Sequence, residues 1–265
     1  MISSATIKLS PSALNLFREC PRCFWLEKVK NVKRPRGIFP SLPGGMDREI
    51  KNHFDKFRAR KVLPPEMGGP EFKGIELFAD QEKLERWRSW RTGLIYDDTE
   101  VSAQLSGALD DLLVREGRYI PFDYKTKGSP TTEEDAVKYY SNQLDCYALM
   151  LEANEMPTAG FAYLLYYSPS CISENGACQF QVQPIRVATD VERSRKTFRD
   201  AVVLMRRLQC QPCYSGRCKN REELACLKKI SVDEVWDALM RQLSMTGSRE
   251  KSPFAAVARD IPRPI

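Results

Sequence analysis

Residues Leu105 to Lys125 read LSGALDDLLVREGRYIPFDYK, a run that specifies a β-hairpin more directly than any other structure. Two apolar-rich strands flank a tight turn at Arg115, Glu116, Gly117 and Arg118. In the second strand, alternation places Ile120, Phe122 and Tyr124 on one face and Asp123 with Lys125 on the other. The first strand, Leu105 to Val114, carries Asp110, and the same alternation turns the adjacent Asp111 to the opposite face. The hairpin therefore brings Asp110 and Asp123 together, with Lys125 beside one of them. Hard carboxylate oxygens of this kind take magnesium or manganese. A metal there can bind a scissile phosphate and activate water, while the lysine holds the attacking hydroxide or offsets charge on the phosphate. Asp and Lys two apart on a strand also form plain surface ion pairs, so the rest of the chain has to decide between the two.

Composition narrows the choice. The single histidine, His53, excludes a zinc site built on several histidines and confines any Ser-His-Asp or Cys-His mechanism to that residue. Hydrolysis is then more naturally carried by carboxylates and metal. The net charge of +6, from 41 basic and 35 acidic residues, is compatible with a polyanionic partner without requiring one. The start, MISSATIKLSPSA, has no basic segment leading into an apolar run, and the most apolar segments are too short to span a bilayer. The expectation is an intracellular protein, cytoplasmic or at the nucleoid, with no membrane partner. Nine cysteines, an odd number in such a chain, argue for a metal centre over a disulfide framework.

Taken in order, Ser10 and Pro11 start a helix that Pro21 should break, between Cys20 and Cys23. Lys28 to Arg36 is a basic loop, solvated or contacting phosphate. Residues 37–46 form a Gly/Pro loop, and Asp47 to Arg60 a helix on which Glu49 and His53, four apart, share a face. Glu82 to Trp90 is a charged helix. After the hairpin, Thr131 and Glu134 form a capping box for a helix running to about Asn154, with Val137, Tyr140, Leu144, Ala148 and Leu151 as its apolar stripe and Gln143 and Tyr147 beside it. Gly160–Tyr167 and Gln179–Val187 are strands joined by a polar loop. Thr189 caps a further helix, Ser231 a last one, and the chain from Thr246 is polar and disordered in character. The order gives an α/β fold with a mixed β-sheet flanked by helices. Its segments are 1–36 with the first cysteines, a core over 37–209, a cysteine-rich stretch with a helix over 210–245, and a tail over 246–265.

GALDDLL followed by DYKT, and then a helix with Gln143 and Tyr147, resembles the RecB-like branch of the PD-(D/E)XK nuclease superfamily, and Ser10 to Pro21 is similar to the opening of such nucleases. The resemblance implies a restriction-endonuclease-like core. It makes Asp110 and Asp123 metal ligands and Lys125 the catalytic lysine, with Gln143 and Tyr147 supporting the site and the DNA. It also implies a further ligand from an early helix, for which Glu49 and His53 are the candidates. In a subset of the branch, the AddB-type and CRISPR spacer-acquisition nucleases, one early and three late cysteines hold a [4Fe–4S] cluster. Here they would be Cys20 with Cys210, Cys213 and Cys218. A zinc site from Cys20, Cys23, Cys210 and Cys213 is the rival, and Cys146, Cys171 and Cys178 read as ordinary thiols. The implied function is a Mg²⁺- or Mn²⁺-dependent DNA nuclease acting on single strands or ends in recombination, repair or DNA processing, with protein partners in such a complex. The alternative is a catalytically silent, nuclease-derived module that binds DNA or protein.

Overall fold

A computed structural model describes residues 7–35, 37 and 41–205. Cys210, Cys213, Cys218 and Cys226, the helix expected from Ser231 and the tail from Thr246 lie outside them. Strand β1 (Ile7–Leu9) leads into α1 (Pro11–Glu19), where Ala13 N donates to the capping Ser10 Oγ at 3.2 Å. Pro21 does end this helix, but it also opens another, α2 (Pro21–Lys30). Its missing N–H costs nothing at a first helical position, and Cys23 N donates to Cys20 Sγ at 3.2 Å as the cap. Helix α3 spans Ser41–Ala59, one and a half turns longer than the sequence predicts. The expected loop over 37–46 is helical from Ser41 because Pro43 falls in the first turn, where amide groups have no intrahelical acceptor anyway.

Strand β2 (Glu76–Leu77) and α4 (Gln81–Arg88) follow, then β3 (Leu94–Asp98), β4 (Ala103–Gly107), β5 (Asp111–Arg115) and β6 (Arg118–Thr126). The single strand predicted over Leu105–Val114 is two strands in two different sheets. β4 lies between β1 and β3 in a three-stranded sheet, whereas β5 joins a five-stranded sheet of order β2-β5-β6 continued by β7 (Phe161–Ile172) and β8 (Cys178–Ala188). The turn between β5 and β6 is as expected, with Glu116 and Gly117 at positive φ (51° and 73°), the conformation a two-residue hairpin loop needs. Pro121 is tolerated in this inner strand because β7 pairs with β6 only from Phe122 onward.

Helix α5 (Glu133–Ala153) is the crossover that lets β6 and β7 run parallel; the other pairings in the sheet are antiparallel. Its cap is Thr132, which accepts from Asp135 N at 3.2 Å, one residue later than the predicted capping box. Val137, expected in the apolar stripe, is 46% exposed, while Leu144, Ala148 and Leu151 are fully buried. Helix α6 (Val191–Met205) is capped by Asp190 rather than Thr189. No described helix is long and apolar enough to cross a membrane.

The five-stranded sheet is buried on both faces. Phe122 and Tyr124 of β6 and Tyr163 and Leu165 of β7 face α3, with Ile50 and Phe54. Ala162, Leu164 and Tyr166 of β7 face the core that α5 and α6 share with the small sheet. This is why β7 reads as a continuous apolar run instead of alternating. Into the α3 side is set a fully buried charge, Asp111. Arg58 Nη2 donates to both its oxygens at 2.7 and 2.6 Å, and Arg88 Nη2 to one at 3.3 Å; Leu112 N and the Tyr124 hydroxyl donate to it as well. Arg88 also grips Asp55 at 2.7 and 2.9 Å, so two cations meet two anions. Removing one member strands a buried charge. Asp111→Ala should therefore lower unfolding free energy by about 3–5 kcal/mol, read from urea unfolding midpoints; a loss under about 1 kcal/mol would show the network to be dispensable.

Candidate active site

After Gly107 the chain leaves the small sheet and enters the large one. Gly107 sits against α1 and α5 so closely that a Cβ there would stand 3.0 Å from Met150 Cε and 3.1 Å from Pro11. The connecting residues are then pinned by the end of α4. Leu109 N donates to Trp87 O at 2.9 Å, and Arg88 Nε donates to Asp110 O at 2.9 Å. Asp110 is thus the last residue of the joint and not part of a strand. The β5–β6 ladder begins with Asp111 opposite Phe122, and one step beyond that pair the register sets Asp110 opposite Asp123. Asp111 turns the other way, into the arginine network.

Asp123 is 1% exposed. Its Oδ1 accepts from Gln143 Nε2 at 3.1 Å, and that same nitrogen donates to Tyr147 Oη at 2.6 Å, so α5 presents Gln143 and Tyr147 to the site one helical turn apart. Its Oδ2 is buried without an aligned hydrogen-bond donor and lies in close ionic contact with Lys125 Nζ. Lys125 Nζ also stands 4.7 Å from the centroid of the Tyr140 ring, a cation–π contact. On the far side, Asp110 Oδ1 lies 2.8 Å from Lys51 Nζ, which in turn lies 2.9 Å from Asp47 Oδ2. A cleft of about 240 Å³ opens here, lined by Pro43, Asp47, Ile50, Tyr124, Lys125 and Thr126.

Burial pushes the Asp123 carboxyl up to about 7, with the charge of Asp110 adding to it and Lys125 opposing it. Asp110 goes the other way. Burial raises it, but Lys51 and Lys125 together outweigh burial and hold it below the usual carboxylate range. Of two adjoining carboxyls pushed apart in this way, Asp123 takes up a proton before Asp110 as the pH falls. Among the described residues, no group of three His, Cys, Asp or Glu side chains stands ready for a metal. The donor set at the cleft is nevertheless of the hard-oxygen type, two adjoining carboxylates countered by the ammonium groups of Lys51 and Lys125.

Of the residues singled out from the sequence, Asp110, Asp123, Lys125, Gln143 and Tyr147 are brought together. Glu49 and His53 are not. Glu49 pairs with Arg48, and His53 Nε2 lies 2.8 Å from Glu66 Oε1, without the alignment of a hydrogen bond. Both line a separate depression of about 290 Å³ with Glu66, Tyr167 and Phe180. Asp47 and Lys51, also four apart on α3, lie on the side of the aspartates, with Lys51 contacting Asp110. Sequence offered no means of singling out that pair, since Asp and Lys at this spacing are an everyday helix ion pair. Tyr140, placed in the apolar stripe, instead supports Lys125. Cys20 and Cys23 adjoin at the elbow between α1 and α2; hydrogen bonds from the Cys23 thiol and amide hold the Cys20 thiol below its usual range.

Comparison with known proteins follows the same lines. Nothing among curated proteins matches the chain. A solved structure titled "Crystal structure of SSO0001" is 12% identical, over 78% of this chain and 82% of that chain, with a TM-score of 0.37, a likeness too loose to bear on the site. The model of the PD-(D/E)XK nuclease superfamily matches residues 47–226. That span is more than half of the sequence and contains Asp110, Asp123, Lys125, Gln143 and Tyr147. The chain belongs to the PD-(D/E)XK nuclease superfamily.

Proposed function

We propose that this protein is a DNA nuclease of the RecB-like branch that hydrolyses phosphodiester bonds with Mg²⁺ or Mn²⁺, acting as an exonuclease on single strands or ends in recombination, repair or DNA processing. The observation that carries this is Asp123, a buried carboxyl with one oxygen held by Gln143 and the other in ionic contact with Lys125, opposite Asp110 one step beyond the β5–β6 ladder. Asp110 and Asp123 would hold the cation, which when bound supplies Lewis-acid activation of water and neutralises charge on the phosphate. Gln143 fixes the rotamer of Asp123, and the buried Tyr147 fixes Gln143. Lys125, braced by Tyr140, stands where it can orient an attacking water and offset charge growing on the phosphate. That only two carboxylates adjoin among the described residues keeps a second reading in play, a module that binds DNA without cutting it. The same proposal takes Cys20 with Cys210, Cys213 and Cys218 as ligands of a [4Fe–4S] cluster, zinc being the alternative. It is supported by the half-buried, acidified Cys20 thiol at the helix elbow.

Cleavage of end-labelled single-stranded DNA with Mg²⁺ or Mn²⁺ should fall by about 100-fold or more in Lys125→Ala and in Asp110→Ala, with DNA affinity in EDTA little changed. Wild-type cleavage rates in both variants would end the nuclease reading. DNA affinity without any metal-dependent product, in wild type as well, would establish the binding module instead.

Because the cation has to displace the proton held on Asp123, Mn²⁺ affinity should rise about tenfold per pH unit below pH 7 and level off above it. Titration calorimetry across pH 5.5–8.5 would show this, and Asp123→Asn should abolish the slope. The cysteine assignment predicts broad visible absorption and stoichiometric iron in anaerobically purified protein, both lost in Cys20→Ala. Zinc with no visible absorption would select the rival site.

A further inference from the structure

The depression on the far side of Ile50 has no part in the proposed reaction. Ile50 is a wall it shares with the active-site cleft, and Tyr167 of β7, which lines the depression, is the register partner of Thr126, which lines the cleft. These two residues are one strand spacing, about 4.8 Å, apart. A strand of nucleic acid held in the cleft therefore passes the depression with a neighbouring nucleotide. Polar groups converge inside it. Tyr167 Oη donates to Glu66 Oε1 at 2.9 Å, and His53 Nε2 lies 2.8 Å from the same oxygen. Both contacts fall on one oxygen, which leaves the other oxygen of the carboxylate to accept from elsewhere. A glutamate that only stapled α3 to β7 would be packed over. Here about 290 Å³ stays open beside it, with apolar walls from Met46, Ile50 and Val182. Phe180 of β8 is 36% exposed and stands edge-to-face to Tyr167 with ring centroids 6.4 Å apart, which fixes an accessible aromatic ring at the same hollow.

Charge decides what fits. Glu66, with Glu49 nearby, repels a phosphate. An acceptor-only carboxylate beside an accessible ring suits an uncharged, flat ring carrying N–H donors, which describes a nucleobase. Cytosine and adenine present an amino group where thymine presents a carbonyl oxygen, which a carboxylate repels. A lysine or arginine of a partner protein would satisfy the same groups, but continuity with the cleft favours a base of the strand held there. We propose that this depression is a base-binding subsite that takes one unpaired cytosine or adenine next to the scissile position, with Phe180 stacking on the base and Glu66, oriented by Tyr167 and His53, accepting from its amino group. This inference rests on the DNA-nuclease reading above, and its test separates the two.

The test is binding of short fluorescein-labelled oligo(dC), oligo(dA) and oligo(dT) to the full-length protein in EDTA at fixed salt, read by anisotropy. Wild type should bind oligo(dC) and oligo(dA) about tenfold more tightly than oligo(dT). Glu66→Gln, which keeps the shape and adds a donor, should erase that preference. Phe180→Ala should weaken all three about fivefold or more, while Phe180→Trp, which keeps a ring, should bind as wild type does. Equal affinity of wild type for the three, or a preference that survives in folded Glu66→Gln, would overturn the proposal. Full affinity in folded Phe180→Ala would overturn it too, and would assign the depression to another ligand. Metal-dependent cleavage lost in Lys125→Ala would leave the nuclease reading standing through any of these failures. If wild type neither bound nor cut any oligonucleotide, both would fall.

Discussion

The carboxylate of Asp111, buried between Arg58 and Arg88, is the contact on which the geometry of the cleft depends. It draws together α3 through Asp55 and Arg58, α4 through Arg88, β5 through its own backbone and β6 through Tyr124. Its net contribution to stability over an apolar substitute is small or negative, since the charges lose their hydration. What the network supplies is position. Arg88 fixes the carbonyl of Asp110, and Tyr124 is fixed between Asp123 and Lys125 on the strand that carries both. Two consecutive aspartates thus divide the work, one facing inward to hold the scaffold and the next facing the cleft.

The two sides of the cleft use the same chemistry differently. Asp123 lies deep, is held by an amide and takes a proton. Asp110 lies nearer the edge between two ammonium groups and stays ionised. Environment alone separates two identical, interacting side chains.

Much of this was legible in the sequence because it depends on short-range rules. The positive-φ turn at Glu116 and Gly117, the alternation of β6 and the placement of Gln143 and Tyr147 one turn apart on α5 follow from local periodicity. What escaped is tertiary. Nothing local marks Gly107 as the end of a strand, because the break is made by packing against Pro11 and by the grip of α4 on Leu109 and Asp110. Pro43 looked like a barrier to α3 but falls in its permissive first turn. Which face of α3 meets the aspartates depends on how the helix lies on β6. A histidine and a glutamate at helical spacing thus line a separate depression, while an ordinary-looking lysine contacts Asp110.

The hairpin turn has a kinetic consequence as well. β5 and β6 are closed by two residues, so the contact that sets Asp110 opposite Asp123 has among the smallest loop-closure entropies in the fold and belongs to the microsecond class of events. The parallel pairing of β6 with β7 must wait for α5 to fold and dock between them, and β1 pairs with β4 across nearly a hundred residues. The two carboxyls therefore meet while still in water, where both are ionised and repel. The burial that raises the Asp123 carboxyl comes later, as the slower, non-local half of the chain closes over it.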